Sequence, residues 1–184
     1  MRFQGLVYRA HNPSWSFDPL SGEGAKRFGG RFNPVGVEAL YTAISETVAL
    51  AEYNQGFPHR PQPKTLCAYE VDCDDLIDLT DSNQCDSLFI REDELAAPWE
   101  FISNKESSII LSAKTKNTGI PPTWMIANQL RNTGAAGVIV PSFANNAPTG
   151  GKNIVFWRWG ADKPYQVLLI DDDGRLPKDR SSWE

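Results

Sequence analysis

The chain has 184 residues, 41% hydrophobic and 11% aromatic, enough apolar material for one core, which excludes disorder as its general state. Its 18 basic and 23 acidic residues leave a formal charge of −5, which argues against sequence-independent binding to nucleic acid or anionic lipid. The apolar run Gly137-Val138-Ile139-Val140 is far shorter than the roughly 20 residues that span a bilayer, and Met1-Arg2-Phe3-Gln4-Gly5 lacks the apolar core of a signal peptide. The expectation is a soluble, cytoplasmic protein without a membrane partner, a single domain over residues 1–184 with a polar tail from 171 to 184.

Cys67, Cys73 and Cys85 are an odd number without a CxxC spacing, so reduced thiols are expected rather than a disulfide framework or a zinc knuckle. His11 and His59 each lie beside an Asn-Pro or Pro-rich turn and have no partner at ligand spacing, so no metal site is expected.

In chain order, Leu6-Val7-Tyr8-Arg9-Ala10 predicts a strand ended by Asn12-Pro13, and Asp18 to Gly36 reads as a loop rich in Gly, Pro and Asn. Ala39-Leu40-Tyr41-Thr42-Ala43 predicts a second strand, followed by a helix capped by Ser45 and ending near Gly56. Pro58 to Pro63 predict a turn, and the alternation from Thr65 to Val71 predicts a strand. Residues 72 to 121 are the least readable stretch, with a short helix expected within Glu94 to Asn104. Thr123 to Thr133 predict a helix stopped by Gly134; Gly137 to Val140, Ile154 to Trp159 and Tyr165 to Ile170 predict strands. Strands outnumber helices and often follow one another, which favours an α+β fold over a regular βαβ repeat.

The densest chemical signal is the segment from Gly22 to Pro34. Its four glycines allow a ligand to approach the backbone, and Lys26, Arg27 and Arg31 place positive charge in an otherwise acidic protein, which suits a phosphate-bearing ligand. It is neither a Walker A loop nor a Rossmann fingerprint, and a flexible surface loop is the plainer alternative. Glu52 lies between Val48 and Ala49 on the helical wheel, on an otherwise apolar face. A carboxylate there is either the structural partner of a nearby arginine or a charge held against a developing cation in a poorly solvated cleft. Tyr41, on the strand leading into this helix, is either core or a residue facing the same cleft. Ser142 follows the strand-ending Pro141 and suits a hydrogen-bond donor better than a nucleophile, because neither histidine has a carboxylate nearby and no Gly-x-Ser-x-Gly elbow exists. Trp157 and Trp159 read as core or platform residues of one strand, and Asn153 as a cap at its start.

Together these pieces resemble the RES-domain toxins of bacterial RES–Xre type II toxin–antitoxin modules. The resemblance rests on Tyr8-Arg9, on Gly29-Gly30-Arg31-Phe32-Asn33-Pro34 with Gly36 and Ala39-Leu40-Tyr41, on Ala49-Leu50-Ala51-Glu52, and on Val140-Pro141-Ser142 with Asn153 downstream. It spans about residues 5 to 170, and the order Arg31, Glu52, Ser142 matches the three residues that name the family. The departures are residues 72 to 121 and Phe32, where tryptophan is common.

The resemblance implies an ADP-ribosyltransferase-like fold in which two small β-sheets form an NAD-binding cleft with flanking helices. It implies NAD+ as substrate, without a metal, and cleavage of the nicotinamide–ribose bond with water or phosphate as acceptor. Glu52, Arg31 and Tyr41 are then the catalytic candidates, and Arg9, Gly30, Arg31, Tyr41, Ser142 and Asn153 the NAD-binding ones. An Xre-like helix-turn-helix antitoxin is the implied partner, with no direct nucleic-acid binding by this chain. The alternatives are a mono-ADP-ribosyltransferase acting on a host protein, which Leu50 disfavours for arginine because related arginine-specific enzymes often carry Glu or Gln there, and a non-enzymatic nucleotide- or partner-binding module.

Overall fold

Phe3–His11 (β1) lies antiparallel to Thr65–Cys73 (β3), with all nine residues of β1 in register from Phe3 opposite Cys73 to His11 opposite Thr65. The structure is a computed structural model and describes residues 1–55, 62–104 and 119–181. The other strands are Leu40–Ala43 (β2), Leu76–Asp78 (β4), Gly137–Pro141 (β5), Lys152–Phe156 (β6) and Tyr165–Leu169 (β7). They form one sheet in the order β4-β5-β6-β2-β1-β3-β7, antiparallel except where β4 runs parallel to β5. The fold is α+β, as expected.

Where the resemblance implies two small sheets, the strands form one seven-stranded sheet, of which β4-β5-β6-β2 and β1-β3-β7 are the two halves. β1 and β2 share the single register pair Tyr8–Ala43, so β4-β5-β6-β2 and β1-β3-β7 diverge on either side of it. That divergence opens the cleft described below.

Each face of the sheet has its own apolar core. Val138, Val140 and Val155 pack with Phe32 and with Ile126, Ala127 and Leu130 of Pro122–Asn132 (α6), while Ile139, Ile154 and Phe156 point to the opposite face and pack with Val7, Tyr69, Val71 and Val167. Both faces of β5 are therefore covered, which explains why its sequence runs apolar instead of alternating. Burying each such side chain contributes about 1.5–3 kcal/mol. The helix Glu46–Asn54 (α2) begins where Ser45 Oγ accepts from the Val48 amide at 3.4 Å, and it buries Val48, Ala49 and Ala51, with Tyr8 of β1 and Ala43 packed against them.

Several expected elements differ. The Asp18–Gly36 stretch contains a helix, Glu23–Phe28 (α1), held by the loop that follows it: Lys26 O accepts from the Gly36 amide at 2.8 Å and Ala25 O from Asn33 Nδ2 at 2.8 Å. The helix expected within Glu94 to Asn104 is two short ones, Glu92–Leu95 (α4) and Trp99–Ser103 (α5), parted by Pro98; Ser82–Ser87 (α3) precedes them. β6 ends at Phe156, because the Trp157 and Arg158 amides both donate to Ala136 O and turn the chain, so Trp157 and Trp159 lie beyond the strand. The turn from Pro58 to Pro63 falls largely outside the described residues, as do His59 and the end of the α2 segment at Gly56. Cys67, Cys73 and Cys85 are all free thiols.

Candidate active site

The glycine-rich loop is organised by Asn33 and Tyr41. Asn33 is fully buried; its Nδ2 donates to the Ala25 and Val37 carbonyls, both at 2.8 Å, and its Oδ1 accepts from the Tyr41 hydroxyl at 2.7 Å. The same hydroxyl accepts from the Phe32 amide at 2.9 Å, and burial pushes the Tyr41 pKa above its ordinary value, so the phenol stays neutral. A Cβ at position 30 would fall 2.5 Å from this hydroxyl and 2.7 Å from Asn33 Oδ1, which is why Gly30 stands there. Two indoles complete the frame: Trp124 Nε1 donates to Gly30 O at 2.8 Å and Trp157 Nε1 to Phe32 O at 2.9 Å.

This loop projects Arg31. Its Nη1 donates to the carbonyls of Leu95 and Ala97 at the end of α4, at 3.1 and 2.7 Å, and its guanidinium lies 4.2 Å from the centre of the Phe143 ring. Arg9, on β1, donates from Nη1 to Pro19 O at 3.0 Å and Ser21 O at 2.9 Å. Neither arginine forms an ion pair among the described residues. Burial pulls both guanidinium pKa values below their ordinary value, the Arg31 one against the charge of Glu52. Two cations largely withdrawn from water without a carboxylate at contact are groups whose remaining N–H donors an anion could satisfy.

Glu52 sits at the end of the second turn of α2. Its Oε1 accepts from Ser142 Oγ at 2.6 Å and from Asn153 Nδ2 at 2.5 Å, and its Oε2 accepts from Gln55 Nε2. It forms no ion pair among the described residues, so its contacts are not those of an arginine's structural partner. Ser142 follows β5 and is fixed by its amide donating to Gly151 O at 2.8 Å. Asn153 is a residue of β6 rather than a loop cap, paired with Val140 on one side and Ala43 on the other. α2 reaches both residues because it packs directly on the turn before β6, where a Cβ at Gly151 would fall 2.8 Å from Val48 Cγ2.

The cleft between the half-sheets has two lobes that meet at Arg9, Tyr41, Glu52 and Asn153. The smaller, about 210 Å³, is lined by Tyr8, Ala10, Thr42, Ala43, Ala49 and Tyr53 besides the shared residues. The larger, about 520 Å³, adds Phe28, Gly30, Arg31, Trp99, Glu100 and Phe143. Of the residues singled out in the sequence, Arg9, Gly30, Arg31, Tyr41, Glu52 and Asn153 line the cleft, and Ser142 reaches it through its bond to Glu52. Sequence reasoning passed over Gln55, which the i,i+3 spacing from Glu52 signals, and also Trp124 and Phe143, which nothing local marks. Among the described residues, no group of His, Cys, Asp or Glu is arranged to hold a metal ion, and no helix is long and apolar enough to cross a membrane.

The model of the RES domain matches residues 6–179. Among solved structures, the fold is similar to one in the M. tuberculosis MbcT–MbcA toxin–antitoxin complex, with a TM-score of 0.56 and 22% sequence identity over 93% of this chain and 84% of that one. No curated protein matches the chain. With one family model spanning nearly all of it, the chain belongs to the RES domain family.

Proposed function

We propose that this protein is the toxin of a type II toxin–antitoxin module and acts by cleaving the nicotinamide–ribose bond of NAD+. The observation that carries the reading is the Glu52 carboxylate, fixed by Ser142, Asn153 and Gln55 where the two lobes meet, with Arg9 and Arg31 beside it. A dinucleotide laid across this junction puts its diphosphate against the guanidiniums and nicotinamide in the smaller lobe, between the strand ends and Tyr53. Arg31 commits Nη1 to protein carbonyls, which leaves its other N–H groups for forked bonds to phosphate.

When the glycosidic bond breaks, its electron pair goes to the nicotinamide nitrogen, the ring leaves neutral, and the ribose becomes an oxocarbenium ion. A negative charge already oriented beside that carbon stabilises it without reorganisation, and the leaving group needs no acid, so one carboxylate suffices. Water then adds at the ribose carbon and releases a proton, giving ADP-ribose; inorganic phosphate adds there to give ADP-ribose phosphate. Tyr41 presents its ring to both lobes, while its hydroxyl holds the loop that carries Arg31. Leu50, aliphatic and half-buried, offers no group to activate an arginine acceptor, which favours water or phosphate over protein modification.

The partner in this reading is an Xre-like helix-turn-helix antitoxin. The similarity to a chain from a toxin–antitoxin complex supports an antitoxin partner, and the charge of −5 leaves operator binding to it. Mass analysis of purified protein incubated with NAD+, with and without phosphate, tests the activity. Free nicotinamide with ADP-ribose or its phosphate is expected; intact NAD+ contradicts the reading and favours a binding module.

A further inference from the structure

The larger lobe carries two aromatic rings to which the chemistry at Glu52 gives no task. Phe28 ends α1 and is 79% exposed, so it contributes little to the core, yet it lines the lobe. Trp99 begins α5 and lines the same lobe. Its ring is positioned from behind, with its centre 6.4 Å from that of Trp124, whose own indole is tied to Gly30 O. The rest of what α1 and α5 present to the lobe is Gly24, Ala25 and the carboxylate of Glu100, with no cation; Lys26 and Arg27 are not part of this wall. A wall with rings and no positive charge suits a flat, uncharged heterocycle, not a further phosphate.

Resting on the reading above, we propose that Phe28 and Trp99 form a purine subsite that holds the adenine of the dinucleotide. Orientation follows from the lobes. The reading above puts the nicotinamide in the smaller lobe, Arg31 lies in the larger, and the diphosphate separates the two nucleosides, so the base beyond Arg31 is the adenine. The subsite binds the half of the substrate that does not react, and it separates NAD+ from nicotinamide mononucleotide, which has the same scissile bond and lacks the AMP half.

The test compares NAD+ with nicotinamide mononucleotide in wild type, Phe28→Ala and Phe28→Trp, alongside AMP binding measured by calorimetry. Loss of one base-stacking ring predicts that Phe28→Ala reduces the preference for NAD+, expressed as the ratio of kcat/KM values, by about tenfold, through KM and not kcat. AMP affinity falls by a similar factor, and Phe28→Trp restores both. Trp99→Phe, which keeps a ring against Trp124, weakens AMP binding less than Phe28→Ala. A Phe28→Ala protein that affects the two substrates alike, or binds AMP as wild type does, overturns the subsite. A wild-type protein that binds AMP through Phe28 but leaves NAD+ intact would keep the subsite and remove the proposed reaction instead.

Discussion

Asn153 Nδ2 lies 2.5 Å from Glu52 Oε1 although 101 residues separate them in the chain. A carboxylate oxygen only accepts, so the amide must present its nitrogen, and its Oδ1 is buried with no partner among the described residues. The bond ties α2 to the middle of the sheet at the point where the half-sheets part. Asn153→Asp would replace the donated bond with a second carboxyl group against Glu52 Oε1, where like charges repel. NAD+ cleavage by the purified variant is expected to fall by about tenfold or more, the scale of losing the orientation of one preorganised electrostatic group; turnover at the wild-type rate would contradict the assignment.

Tyr41→Phe separates the ring from the hydroxyl. The ring still lines both lobes, but the Phe32 amide and Asn33 Oδ1 lose their partner, which costs about 1–3 kcal/mol. Thermal unfolding is expected to register that loss, and KM for NAD+ to rise because Arg31 is less well placed. Unchanged stability would mean that the hydroxyl does not hold the loop.

Arg31→Ala removes the cation opposite the diphosphate together with the bonds to Leu95 O and Ala97 O. Steady-state kinetics should show KM rising more than kcat falls, since the charge on phosphate hardly changes during bond cleavage. Arg31→Lys should rescue poorly, because a point charge cannot serve two carbonyls and a phosphate fork together. A large fall in kcat at constant KM would rule out this role.

Helix α2, its Ser45 cap, the helix before Gly134 and the apolar run of β5 were legible because each is set by local chemistry: a capping hydroxyl, an amphipathic period, burial on both faces. Helix α1 was not, since a glycine-bearing segment of six residues has little helical preference of its own and is held by bonds to Asn33 and Gly36. Strand β4 has three residues, too few to show a period, and exists because it pairs with β5. Within the site, Glu52 was legible as an acid on an apolar face. The company of Ser142 and Asn153 depends on how β5 and β6 meet α2, which only the fold determines.

His11 gives the fold a pH dependence of stability. It is buried with its ring nitrogens against Asn12 O at 3.2 Å and Cys67 Sγ at 3.5 Å, and burial pulls its pKa below the ordinary 6.5. The unfolded chain therefore takes up a proton that the folded one resists, so stability from this group is present above about pH 6.5 and is lost as pH falls toward the lowered folded value. Denaturant unfolding across that range should show a shallower loss for His11→Gln than for wild type. Parallel pH curves would contradict a buried neutral imidazole.

The account depends most on the charge of Glu52. Glu52→Gln keeps the volume, and an amide oxygen in place of Oε1 still accepts from Ser142 and Asn153, so α2 should stay seated and the melting temperature should change little. The negative charge opposite the oxocarbenium ion is lost. The direct measurement is nicotinamide release from NAD+ by purified, folded Glu52→Gln protein beside wild type. The account predicts release reduced by about 100-fold or more, a loss typical of removing one preorganised electrostatic group, and no growth inhibition on expression; release at the wild-type rate would contradict it.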